Sequence, residues 1–170
     1  MNDRQSLILT EVRRLVGLPL SDTGRAGNMR IFDFGEESAE TGYAQFTLHV
    51  QCAWRIERHG QIWTGSADHY VAPDGDCERR WDPDTRSDNL QDVRLREFIE
   101  GPPGGGRTGE PPRVEHVEAD TFGDITLYFV DGFVLMTFVS GVCGEVWRMF
   151  EPGSGKQHFV SYASHATYEA

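Results

Sequence analysis

A chain of 170 residues, 38% hydrophobic and 11% aromatic, is long and apolar enough to bury a core without disulfides or metals. Its net charge of −11 sets it against nucleic acid and anionic lipid, which need a positive surface, and favours basic partners. Three widely spaced cysteines form no disulfide framework, the apolar run Leu7-Ile8-Leu9 is too short for a signal peptide, and no run reaches the length of a membrane span. Together these features imply one reduced, cytoplasmic domain over residues 1–170.

In chain order, residues 3–16 read as a short amphipathic helix. Ile8, Val12 and Leu15 recur at helical spacing, and Gly17 with Pro19 supplies the stop. "LSDTGRAGNMR" reads as a loop, and Arg30–Phe34 as a strand ending at Gly35. From Phe46 the period becomes two: Phe46, Leu48, Val50, Cys52, Trp54 and Ile56 fall on one face, and Thr47, His49, Gln51, Ala53, Arg55 and Glu57 on the other. A two-residue His59-Gly60 turn sends the chain back antiparallel through Val71. That register sets His49 opposite Tyr70 and Gln51 opposite Asp68.

A polar crossing, "APDGDCERRWDPDTR", leads to a second helix over Asp88–Glu100, with Asp88 and Gln91 at capping-box spacing and Gly101 past its end. In "GPPGGGRTGEPP" nine of twelve residues are Gly or Pro, so 101–112 is expected to be a flexible loop. Strands follow at Val114–Ala119, Ile125–Val130, Phe133–Val139, Glu145–Phe150 and His158–Tyr162, and Asp131-Gly132 marks a hairpin. The expected architecture is α+β. One strongly curved antiparallel sheet of about seven or eight strands, with a half-open barrel as its variant, is flanked by two helices.

The catalytic signals are sparse. His49 and Cys52, three apart in a strand, point to opposite faces and cannot share a metal ion, so Cys52 reads as a small buried hydrophobe. His49, Arg55, Asp68 and Tyr70 would share one polar face, where His49 tuned by Asp68 could act as a base on a small ligand. An ordinary wet sheet face is the plainer reading. "GGGRTG", "DTG" and "GSGK" each match part of a known motif, but none has the flanking structure that its chemistry needs. Asp74, Asp76 and Glu78 alternate like the start of a calcium loop without its glycine or distal Glu, so neither a metal nor a cofactor is expected.

"GDITLYFVDGFVLMTF" followed by "EVWRMFEP" resembles the strand–turn–strand ending of small bacterial proteins of unknown function. Some of those are similar to immunity proteins, which neutralise a toxin. "LHVQCAWR" followed by "GQIWTGSAD" is similar to part of the same group. The resemblance covers under half of the chain and rests on fold-determining apolar residues, so it implies fold more than activity. It fits an acidic binding module that occludes a basic protein partner, with Asp74, Asp76, Trp81, Asp82 and Asp84 as first contacts and Glu36 and Glu37 as second.

Overall fold

The computed structural model describes residues 3–79, 81–82, 88–101 and 110–170. Helix α1 (Asp3–Val12) runs into a short 3-10 turn, Arg13–Leu15. Five strands follow: β1 (Leu20–Ala26), β2 (Met29–Phe34), β3 (Phe46–Val50), β4 (Ala53–Arg58) and β5 (Gln61–Gly65). A second 3-10 helix, Ser66–Tyr70, precedes α2 (Leu90–Glu100). The chain ends in β6 (Val114–Ala119), β7 (Ile125–Phe129), β8 (Phe133–Phe138), β9 (Glu145–Phe150), β10 (His158–Tyr162) and β11 (Ala166–Glu169).

The architecture is α+β and every strand pair is antiparallel, but the strands form two sheets instead of one. A six-stranded sheet has the order β1-β2-β3-β9-β10-β11, and a five-stranded sheet the order β5-β4-β8-β7-β6. The reason lies at Gln51-Cys52. Both backbone amides donate to the Val146 carbonyl, at 2.9 and 3.1 Å, so two residues oppose one and the strand bends. Before the bulge it pairs with β2 and β9, and after it with β5 and β8. The alternation of faces passes through unbroken, because the inner face of one sheet leads into the inner face of the other. Two strands were not foreseen: β1 occupies the stretch read as a loop, and β11 lies beyond the last expected strand.

The inner faces meet in one core. Phe32, Phe34, Leu48, Val50, Trp147, Met149 and Phe159 come from the six-stranded sheet. Trp54, Ile56, Ile125, Leu127, Phe129, Phe133 and Leu135 come from the five-stranded one. Phe32 meets Trp54 edge-on across the interface, with ring centroids 5.3 Å apart. Burying side chains of this size contributes about 2–3 kcal/mol each. The Trp147 indole N–H is satisfied by the Gly123 carbonyl at 2.9 Å, so the largest inward ring carries no orphaned donor.

Two stacked open sheets leave two unguarded sides, and a helix covers each. Helix α2 packs on β1 of one sheet and β5 of the other, driving Leu95 and Phe98 into the core. Its cap is Asn89, whose side chain accepts from the Asp92 amide at 2.8 Å, and not the expected Asp88. Gly101, at φ 92°, ends it. On the opposite side, α1 packs on β6 and β11 and buries Ile8 and Val12. The backbones of the 17–20 and 112–114 segments also join, through Gly17 N–H to Val114 O at 2.8 Å and Leu20 N–H to Pro112 O at 2.8 Å. The expected Gly/Pro-rich loop falls mainly on 102–109, outside the described residues.

Helix α1 is fastened by a polar contact as well as by its apolar stripe. The Tyr168 hydroxyl on β11 donates to the buried Glu11 carboxylate, whose other oxygen accepts from Arg14. Burial, and then the hydrogen bond to Glu11, push the phenol up to about 12, so the folded protein favours the neutral phenol. The bond therefore stabilises fully below the unfolded tyrosine value of about 10 and is lost as pH rises through about 12. Tyr168→Phe is expected to lower stability at neutral pH by about 1 kcal/mol. In urea unfolding at a series of pH values, the gap between wild type and variant should close across the alkaline range, and a constant gap would contradict the assignment.

Candidate functional site

The outer face of the six-stranded sheet carries His49, opposite Ile31 of β2 and Arg148 of β9. Its ring meets Phe150 edge-on at 4.9 Å, and Phe150 stacks on His158 at 4.1 Å. Arg148 donates to both carboxylate oxygens of Glu145, one of which also accepts from Gln51 at 2.6 Å. Burial, and then the charge of Arg148, lower the His49 pKa, so the ring is neutral at pH 7.

The company expected for His49 does not assemble. The His59-Gly60 turn forms as expected, with φ of 52° and 76°, and pairs Arg58 with Gln61 and Glu57 with Ile62. A bulge then shifts the register by one, so Ile56 faces Thr64 and Arg55 faces Gly65. The strand ends there because the Asp68 carboxylate accepts from the Gly65 amide at 3.0 Å and the Thr64 hydroxyl at 2.8 Å, drawing Ser66–Tyr70 into a 3-10 helix. The pairs His49–Tyr70 and Gln51–Asp68 are therefore absent. Arg55 lies in the other sheet, 3.4 Å from Glu57 and over the Phe138 ring at 5.0 Å. Tyr70 is exposed against the buried His69. Cys52 is half-buried, and burial raises its thiol to about 11, well out of the reactive range.

The two ends of the acidic crossing are joined by a Leu90 N–H to Val71 O bond of 2.9 Å. Asp74 accepts from the Asp76 amide at 3.3 Å and from Arg79 at 2.7 and 2.8 Å, and these contacts, the amide first, lower its pKa. Asp76 accepts from the amides of Glu78 and Arg79, and the Arg79 guanidinium sits 5.6 Å from the Trp81 ring centroid. Asp74, Asp76, Glu78 and Asp82 are exposed and Trp81 is half-buried. Asp84 lies outside the described residues. Glu36 and Glu37, also exposed, follow Gly35 at the far end of β2. The loop instead starts from the α2 N-terminus, which packs on Arg30, about 16 Å away along the strand.

A third feature escaped the sequence reading. Between β1 and α2 lies a groove of about 410 Å³ whose lining includes Ser21, Asp22, Thr23, Arg25, Arg30, Asp88, Asp92, Arg96 and Glu100. Its floor is Arg30, with a side chain only 3% exposed. Nη1 donates to Asp92 at 2.7 Å and to Gln91 at 3.0 Å, and Nη2 reaches the Thr23 hydroxyl at 3.4 Å. The other Asp92 oxygen lies 3.3 Å from Arg25 Nε. Burial lowers the Arg30 pKa and outweighs the opposing pull of Asp92, but a guanidinium starts so high that it stays charged. Arg96 pairs with Asp88 at 3.2 Å near the rim.

The signal for this groove was present in "MRIFDF". Arg30 is in phase with Phe32 and Phe34, and an inward arginine demands a buried acid. Asp88, Asp92 and Arg96, spaced by four, mark the helix face that answers it. Among the described residues, no three His, Cys, Asp or Glu side chains gather closely enough to hold a metal ion, and no helix is long and apolar enough to cross a membrane.

No protein-family model matches the chain, and comparison with curated proteins and with solved structures returns no match.

Removing the Arg30 guanidinium leaves the Gln91 Oε1 and one Asp92 oxygen without their donor. Arg30→Ala is expected to cost about 3 kcal/mol in denaturant unfolding, toward the lower end for a broken buried pair because Arg25 still faces Asp92. A double-mutant cycle with Asp92→Asn should give a coupling energy well above zero, and additive losses would count against a direct pair.

Proposed function

We propose that the protein is an acidic binding module, of the immunity type, that works by occluding a basic protein partner. The observation that carries this reading is the loop between Val71 and Leu90. Its carboxylates Asp74, Asp76 and Asp82 are exposed near the half-buried Trp81 in sequence, and the Asp74–Arg79 stretch is held by its own hydrogen bonds. A preformed Asp74–Arg79 stretch loses little entropy on docking, and carboxylates with an aromatic ring in the same segment suit an arginine- or lysine-rich surface. The net charge of −11 would steer such a partner from a distance and raise the association rate. Glu36 and Glu37, at the far end of β2, would form a second contact for a partner large enough to span both. Inhibition would be steric, requiring no chemistry from the module.

The test is affinity capture from the native host with wild type and with the triple variant Asp74→Asn, Asp76→Asn, Asp82→Asn. Wild type should retain a stoichiometric basic protein at low salt and release it at high salt, because salt screens exposed charges. The triple variant should retain little of it. Equal capture by both forms, or binding indifferent to salt, would overturn the reading.

A further inference from the structure

We propose that the β1–α2 groove is a binding site for a basic zwitterion: a free amino acid such as arginine, or the C-terminal Arg or Lys of a polypeptide. This inference stands on the groove alone and does not need the acidic loop. The charges are layered by depth. The inner layer holds the side chains of Arg30, Asp92 and Arg25, which are 3%, 13% and 22% exposed and carry one net positive charge. At the outer layer Arg96 and Asp88 cancel each other. The exposed Asp22 and Glu100 remain, and neither has an ion pair among the described residues.

Two features show what is unspent. The Arg30 Nε–H and the Asp92 Oδ2 are both buried without a hydrogen bond among the described residues; the Arg25 charge, 3.3 Å away, faces the oxygen, and the Nε–H is left without an acceptor. Arg96 and Glu100 sit four apart on one helix face, where they would ordinarily pair, yet Arg96 turns to Asp88. Glu100 is left facing the groove, with Asp22 across it on β1. The unanswered Nε–H and the net positive inner layer call for an anionic acceptor, and the rim for cations. A carboxylate placed inward answers the Nε–H and the net positive layer. A guanidinium or ammonium side chain, joined in the free amino acid by its α-ammonium, answers Glu100 and Asp22. The free amino acid carries one net positive charge, opposite to the net charge of the groove. The groove volume of about 410 Å³ falls within the range of small-ligand pockets, and Ser21 and Thr23 add hydroxyls to its β1 wall.

Isothermal titration calorimetry on the full chain tests this with L-arginine, agmatine, L-citrulline, and the tripeptide Gly-Gly-Arg as free acid and as amide. Agmatine and the amide lack the carboxylate, and citrulline lacks the side-chain charge. L-arginine or the tripeptide acid should bind below about 1 mM, and the three defective probes about tenfold or more weakly. Asp22→Asn and Glu100→Gln, both at exposed positions, should each weaken binding by about tenfold, with an unchanged circular dichroism spectrum confirming the fold. Tighter binding of free arginine identifies a small-molecule site, tighter binding of the tripeptide acid a chain-end site, and either result supports the shared chemistry. No binding of either at that concentration, equal binding of agmatine or the amide, or unchanged binding by both variants would overturn it.

Discussion

The Arg30–Asp92 pair is the contact on which one whole side of the molecule is built. Stripping water from a charge costs several kcal/mol, so an inward guanidinium is tolerated only where a carboxylate and further acceptors meet it. Asp92 supplies the charge from the first turn of α2, and Gln91 beside it does more than accept. Its Oε1 takes a hydrogen bond from Arg30 in the six-stranded sheet, while its Nε2 donates at 2.9 Å to the Gly65 carbonyl in the five-stranded sheet. One side chain thereby ties the helix to both sheets. Gly65, the last residue of β5, is pressed close to its neighbour strand: a Cβ there would stand 2.9 Å from the Trp54 carbonyl of β4, which explains a glycine at that position. Asn89 completes the corner by capping the same turn that presents Gln91 and Asp92.

How much of this was legible depended on whether the decisive contact was local. Strand alternation over Phe46–Ile56, the Asp131-Gly132 hairpin and the His59-Gly60 turn are short-range patterns, and each appears where the residues place it. The split into two sheets was not readable, because the bulge at Gln51-Cys52 leaves the in–out alternation intact and depends on the Val146 carbonyl, far away in the chain. Strand β1 was hidden for another reason. It contributes little to the core beyond Leu20, and its Ser21–Arg25 side chains serve the groove, so the stretch has the composition of a loop. The polar constellation around His49 failed on a single competition: the Asp68 side chain captured the Gly65 amide and ended the strand before Tyr70 could pair.

The two sides of the sandwich use their charges differently. Around α1, Glu11 is answered by Tyr168 and Arg14, and Glu151 by Arg14 and Lys156, so acid and base satisfy one another within the fold. Around α2 the balance is incomplete: Asp22 and Glu100 have no ion pair among the described residues, and the buried Arg30 Nε–H has no acceptor there. A chain with an excess of carboxylates has to leave some without an ion pair, and among the described residues Asp22 and Glu100 are two such groups beside one groove.

The acidic loop and that groove share a physical element. The loop ends where Leu90 bonds back to Val71, the next residues of α2 are the Gln91 and Asp92 that hold Arg30, and Asp88, two residues before Leu90, belongs to the groove wall. A ligand that drew Arg30 or Arg96 toward itself would pull on the turn that closes the base of the loop. A partner seated on the loop would in turn fix the N-terminus of α2 and the depth of the groove beside it. Coupling of this kind needs no long pathway, only the first turn of one helix responding to both, and by linkage the influence of each site on the other must be equal in free energy.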